Sequence, residues 1–256
     1  MLRGLYTAAS GLLLNNAQSE TIQRNIENMQ NPGYREESER ITSFPRMLAL
    51  KITNKPAPFQ RKEKIPVGIV GTGVYADRMY YKSGAGMIRK TERPTDLALN
   101  SQGYFVIDTL GGERYTRNGH FQLDPSGMLR TAGGNLVLGT NGPLGPLPDN
   151  FKVTEEGTVL NPETGEVYGR LRVVNIPAEN LQKDGITNLF IATEEPQEIP
   201  VGNIRIHQGF IEESNVDLNS QMVKMMTVVR SYSANQKVVQ TNDNLMQKAA
   251  NDIGKV

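Results

Sequence analysis

Apolar positions toward the end of the chain recur by alternating steps of four and three. Leu218, Met222, Met225, Val229, Tyr232, Gln236, Val239, Asp243 and Met246 make up the series. This is the a/d seam of a coiled coil, with polar interruptions at Gln236 and Asp243. No proline stands between Gly209 and Val256. Ser214 or Asn215 is placed to cap the helix, and Asp217 falls in its first turn, where the dipole favours an anion. Roughly 40 residues at about 1.5 Å each predict a rod of about 60 Å. So long a helix with one apolar stripe needs a partner along its length.

A second stripe lies near the other end. Leu5, Ala8, Leu12, Asn15, Ser19, Ile22, Ile26 and Met29 step by three and four, predicting a helix over about Thr7 to Asn28. Asn31-Pro32-Gly33-Tyr34 then stops it, because proline forces Asn31 out of the α region and Gly33 tolerates a positive φ. Residues 35–65 carry the charge run Arg35-Glu-Glu-Ser-Glu-Arg40, the basic Arg61-Lys-Glu-Lys64 and three prolines, and read as an extended, solvated linker.

From 66 to 206 the pattern shortens to strands. Val74–Tyr81, Leu97–Leu99, Tyr104–Ile107, His120–Leu123, Leu136–Leu138, Thr158–Leu160, Leu171–Ile176 and Asn188–Ala192 are rich in β-formers. Between them stand turn sequences such as Asp124-Pro-Ser-Gly127, Ala132-Gly-Gly-Asn135 and Pro162-Glu-Thr-Gly165. Their spacing predicts a sandwich or irregular barrel, and Ile204 to Gln208 is the last strand or the exit from it. The expected fold class is α+β: a mainly-β central domain flanked by long N- and C-terminal helices that pack as a coiled coil. The segments are 1–34, 35–65, 66–206 and 207–256.

Composition narrows the function. The 256 residues allow one large domain or two, and 38% hydrophobic content suffices for a core. Lysine plus arginine (28) nearly balances aspartate plus glutamate (27), so no strong field draws the chain to nucleic acid. No apolar run approaches the roughly 18 residues of a membrane span, and Asn15, Asn16 and Gln18 break any signal-peptide core. Cysteine is absent, which removes disulfides, thiolate chemistry and Cys-ligated metal. His120 and His207 are the only histidines, in neither HxH nor HxxxH spacing, and both read as structural or exposed. Gly71-Thr-Gly73 and Gly84-Ala-Gly86 are too short for a dinucleotide fingerprint. No cofactor, metal or catalytic residue is predicted. A scattered carboxylate pair stays open to sequence reasoning, but an assembly role fits better than an enzyme.

Three ordered motifs resemble the flagellar rod and hook protein family. They are Asn25-Ile-Glu-Asn28-Met-Gln-Asn-Pro-Gly-Tyr-Arg35; then Asp96-Leu-Ala98, Gly103-Tyr-Phe105 and Tyr115-Thr-Arg-Asn-Gly-His-Phe121; then Gly209-Phe-Ile-Glu-Glu-Ser-Asn-Val-Asp217 with Tyr232-Ser-Ala-Asn235 and Val239-Gln-Thr241. The chain departs from the family pattern at Asn31, Ser220-Gln221 and Val229-Arg-Ser-Tyr232. Distal-rod, proximal-rod and Gram-positive rod-like members all remain open. The resemblance implies a structural subunit of the basal-body rod, passed through the flagellar type III export apparatus without a cleaved signal peptide. It implies helical polymerisation into the axial drive shaft, with other copies and other axial proteins, rod and hook, as partners. The assembly interface then falls on Leu5, Leu12, Ile22 and Ile26 of the first helix and on Met222, Met225, Val229, Tyr232, Val239 and Met246 of the second. A transient assembly scaffold of the same family is the alternative, and a wall-cleaving hydrolase a more distant one.

Overall fold

Both long helices form in the computed structural model, which describes residues 2–45, 47–54, 62–71, 73–185 and 188–253. The first, α1, spans Leu2–Glu27 and the second, α2, spans Leu218–Ile253. Strands occupy the chain between them, so the class is α+β. The chain divides into two units: Met1–Arg24, Ser38–Met79 and Asn219–Val256 form the first, Asn25–Glu37 and Tyr80–Leu218 the second.

In the first unit α1 and α2 run antiparallel. The Ser19 hydroxyl donates to Met225 Sδ at 3.5 Å, and Asn15 Nδ2 donates to Ser231 Oγ at 3.2 Å. Further along, Gly11 lies so close that a Cβ there would stand 2.6 Å from Asn235 Nδ2. Small and amide residues thus bring the helices together where bulkier seam residues would hold them apart. The same unit contains most of β1 (Glu37–Ser43), β2 (Met47–Asn54), β3 (Lys62–Val70) and most of β4 (Val74–Tyr81). β1 pairs with β4, and β2 with β3 antiparallel. Much of the expected linker is therefore strand; Pro56, Pro58 and Arg61 lie outside the described residues.

The second unit is mainly β. Its strands are β5 (Ile88–Lys90), β6 (Leu97–Leu99), β7 (Tyr104–Thr109), β8 (Gly112–Thr116), β9 (Phe121–Leu123), β10 (Leu129–Thr131), β11 (Leu136–Gly139) and β12 (Gly142–Pro143). They continue as β13 (Lys152–Val153), β14 (Thr158–Leu160), β15 (Val167–Arg170), β16 (Val173–Asn175), β17 (Leu181–Lys183) and β18 (Phe190–Ala192). β19 (Gln197–Glu198), β20 (Ile206–Gln208) and β21 (Phe210–Glu212) complete the set. One sheet runs β17-β18-β8-β7-β11-β10-β9, with β12, β16 and β19 branching from it. β13, β14 and β15 make a smaller sheet, and β20 and β21 pair with β6 and β5.

Strand β7 shows why this region reads as a near-continuous apolar run. Alternate side chains of a strand point to opposite faces. Phe105 and Ile107 enter one core cluster, with Phe121, Leu129 and Val137, while Val106 enters another with Tyr81, Tyr115 and Phe190. Both faces are covered, so period-two alternation disappears. The Phe105 and Phe121 rings meet edge-to-face at 5.3 Å, a favoured aromatic geometry.

Candidate functional site

The charge run after Tyr34 is buried, against the expectation of a solvated linker. Arg35, Glu36 and Glu37 are 6, 3 and 2% exposed. Such residues stay inside only when each is paired, and here each finds its partner on a different segment. Arg35 Nη2 meets Glu212 Oε1 at 3.0 Å. Lys82 Nζ donates to Glu36 Oε2 at 2.6 Å and Lys183 Nζ to Glu37 Oε1 at 2.6 Å, the lysine also lying 5.0 Å above the Tyr34 ring.

Glu212 is the hub. Its second oxygen accepts from Arg117 Nε at 2.6 Å, and Oε1 also accepts the Gly86 N–H at 3.0 Å. Arg117 is bound further through the Leu99 carbonyl at 3.1 Å and the Gly103 carbonyl, while Arg35 reaches the Gly84 carbonyl. Burial holds the Arg35 guanidinium below the ordinary arginine range; Glu212 opposes that shift and Arg117 adds to it. Burial likewise pushes the neighbouring Tyr104 phenol up. Two arginines thus share one carboxylate, and each comes from a different motif: Arg35 from the first, Arg117 from the second, Glu212 from the third.

Backbone contacts tighten the same junction. Gly33 N donates to Glu212 O at 2.8 Å. Asn215 Oδ1 accepts from Glu36 N at 2.7 Å, and Asn215 Nδ2 donates to Gly84 O at 2.8 Å. The expected cap role of Asn215 is thereby overturned, since its side chain is committed here; Ser214 Oγ accepts from Val216 N, outside the helix. α2 starts at Leu218, so Asp217 precedes its first residue rather than standing inside the first turn. At the end of α1, Asn25 serves the segment it leads into. Its Nδ2 donates to Glu37 O at 2.8 Å, and its Oδ1 accepts from Glu37 N at 2.9 Å and from the Tyr34 hydroxyl at 3.1 Å. Asn25→Ala deletes these three buried bonds and is expected to cost about 2–4 kcal/mol at roughly 1 kcal/mol or more each. Urea unfolding measures it.

The seam residues distribute unevenly between inside and outside. On α1, Ile22 is buried and Leu5, Leu12 and Ile26 are half-buried, along the line the periodicity predicts. On α2 the inward line is Leu218, Gln221, Met225, Val228, Asn235, Val239, Asn242 and Met246. Met225, Val239 and Met246 stand on it, half-buried, whereas Met222 and Val229 are 51 and 54% exposed and Tyr232 is 37% exposed. Gln221 and Val228 replace Met222 and Val229 on the inward face, one residue round the helix. Asn15, Ser19, Val228 and Tyr232 also line an open cleft of about 220 Å³.

The histidines are held in polar pairs. His120 Nδ1 lies 2.7 Å from the buried Asp96 carboxylate, and His207 Nε2 lies 3.3 Å from Asn100 Nδ2. Among the described residues no three His, Asp or Glu side chains are grouped to hold a metal ion, and no helix is long and apolar enough to cross a membrane.

Two family models match the sequence. Residues 207–252 match the flagellar basal body rod FlgEFG protein C-terminal region, and residues 98–194 the flagellar hook protein FlgE/F/G D1 domain. Glu212 lies in the first match and Arg117 in the second. The chain is 34% identical over 276 residues to the flagellar hook-basal body complex protein FlhO of Bacillus subtilis (strain 168), covering 100% of each. It is 29% identical over 267 residues to the flagellar basal-body rod protein FlgG of the same organism, covering 98% of this chain and 99% of FlgG. With the flagellar basal-body rod protein FlgF of Escherichia coli (strain K12) it shares 28% over 257 residues, covering 95% of each.

Proposed function

The chain belongs to the flagellar basal-body rod and hook-basal-body protein family, and from that premise we propose that it polymerises helically, through its terminal helices, into the axial drive shaft between motor and hook. Its role in the flagellum is structural, and its place is the basal body. In this reading the segments 1–34 and 207–256 supply the polymer contacts, and 66–206 is a separate β-rich domain. The partners are further copies and the other rod and hook proteins. The chain reaches them through the flagellar export apparatus, across the periplasm or cell wall.

The observation that carries the proposal is the second apolar line on α2. Met222, Met226 and Val229 follow one another by four and three and are all more than half exposed, and Tyr6 and Leu13 of α1 are exposed too. Helical side chains at that spacing share a face. Covering each such residue is worth about 1.5–3 kcal/mol. A helical polymer covers them on every copy, because a head-to-tail contact that does not close repeats indefinitely. Assembled, the helices pack as a coiled coil in which the inward seam serves one chain and the outward line its neighbours.

Val229→Asp tests this. The exposed site should leave the free chain within about 0.5 kcal/mol of the parent, yet incorporation into basal bodies and swimming should be lost. Lys237→Asp, also exposed, should preserve both. Incorporation of Val229→Asp at parental levels sinks the proposal. Deleting residues 1–24 should likewise abolish incorporation; the cut stops there because Asn25 belongs to the second unit. Immunolabelling of finished basal bodies separates a rod subunit, which stays, from a scaffold, which leaves.

A further inference from the structure

Strand pairings in the second unit range from local hairpins, through β11 and β16 on β7 and β18 on β8 at intermediate separations, to the longest returns. β7 to β8, β9 to β10 to β11 to β12, β13 to β14 to β15, and β17 to β18 are antiparallel neighbours in the chain. Closing each needs only a short loop. β20 and β21 instead return to β6 and β5, placing Ile206 opposite Leu99 and Phe210 opposite Lys90. Among the described residues β5 and β6 pair with no other strand.

We propose that residues 205–215 form a strap that closes last, and that the segment around Arg35 and Arg117 stays open until it does. Pairing across more than a hundred residues carries a larger closure entropy than the local hairpins, so it forms later. Chemistry points the same way. Without Glu212, Arg35 and Arg117 have lost the carboxylate they share, and burying two unpaired guanidinium groups is strongly unfavourable. Without Asn215, Glu36 N loses its side-chain partner and Gly84 O keeps only Arg35. The strap therefore supplies in one step the carboxylate shared by Arg35 and Arg117 and the acceptors for Gly33 N and Glu36 N, while the Glu36 and Glu37 carboxylates are paired by Lys82 and Lys183. The local hairpins between β7 and β18 close without these ion pairs, although Ile206 of the strap completes their core and Gln208 Oε1 accepts from Val153 N at 3.0 Å. Every contact invoked lies within the second unit, so the inference is independent of the assembly reading.

Pulse-labelled hydrogen exchange during refolding of the full chain from urea tests the order. The amides of Gly33, Thr91 and Asn100 donate to the strap carbonyls of Glu212, Gly209 and Arg205, each at 2.8 Å. Those of Asp124, Thr131 and Leu144 donate within the local hairpins, to Met128, Asn135 and Val137. The hairpin amides should gain protection first, with the strap amides following at least roughly tenfold later. Protection of both sets in one phase, or of the strap set first, overturns the proposal. Ile206→Val, a mild truncation that keeps the fold, gives a second readout. It should speed unfolding about fivefold while leaving the appearance of hairpin protection unchanged; an equal slowing of hairpin protection overturns it too.

Discussion

Glu212→Gln should be among the most damaging single substitutions in the second unit, costing about 3–5 kcal/mol. The replacement is nearly isosteric, so packing is kept and only the charge and one acceptor are lost. Arg35 and Arg117 then remain inside, 6 and 4% exposed, with no carboxylate between them. An uncompensated buried charge cannot recover its hydration without opening the structure. Since domains are stable by only about 5–15 kcal/mol, this is a large fraction of the total. In urea, with a slope of about 1–3 kcal/mol per molar, the midpoint of the second unit should fall by more than about 1 M. The neighbouring residue is the control. Glu213 pairs with Arg89 at 2.7 Å, but the two side chains are 41 and 60% exposed, and such pairs contribute about 0–1 kcal/mol. Glu213→Gln should leave the midpoint nearly unchanged. Equal losses from the two adjacent glutamates would show that the Glu212 cluster is not what holds the junction.

That contrast also marks where sequence reasoning stops. Glu212 and Glu213 are identical letters in one motif, and nothing local says which is buried. Burial depends on Arg35 and Arg117, which are distant in the chain and follow no period that could connect them. The charge run at Arg35 to Glu37 reads as solvated by the ordinary behaviour of charged residues, and only its partners on three other segments reverse that. The strands were legible where apolar runs are bounded by turn chemistry; Leu97–Leu99, Thr158–Leu160 and Val74–Tyr81 fall where β-propensity places them. Strand order was not, because β5 and β6 wait for partners more than a hundred residues later. The helices divide in the same way. On α1, Ile22 and Ile26 each stand between polar neighbours, so the inward face is unambiguous there, whereas Ala8-Ala9 and Leu12-Leu13-Leu14 leave it open further toward the start. On α2 the doublets Met225-Met226 and Val228-Val229 offer two apolar faces one residue apart. The packing against α1 buries Val228, near Asn15 and Ser19, and leaves Val229 more than half exposed at the edge of the same cleft. The motifs were therefore the best available signal for the junction, although each is too short to reveal that the three meet.

Gly33→Ala gives the second large effect and isolates close approach from backbone strain. Gly33 has φ +68°, in the left-handed region, where an L side chain costs about 1–2 kcal/mol. Space is the larger obstacle. A Cβ at this position would lie 2.4 Å from Arg117 C, 2.5 Å from Asn118 N and 2.6 Å from Arg117 O. All three are backbone atoms of the segment that carries Arg117 to Glu212, so relief requires one chain to move off the other. Such overpacking adds about 1–3 kcal/mol, and the movement also pulls Gly33 N from the Glu212 carbonyl. Gly165 provides the matched comparison. Its φ is +70°, and nothing lies within 4 Å of its would-be Cβ. Gly165→Ala should therefore cost only the conformational share, about 1–2 kcal/mol. The difference between the two variants, read from urea midpoints of the full chain, measures how tightly the Asn-Pro-Gly-Tyr turn is pressed against the Tyr-Thr-Arg-Asn-Gly segment. A difference below about 0.5 kcal/mol, the usual error of adding independent effects, would mean that the turn needs glycine for its φ alone and that the first two motifs do not hold each other.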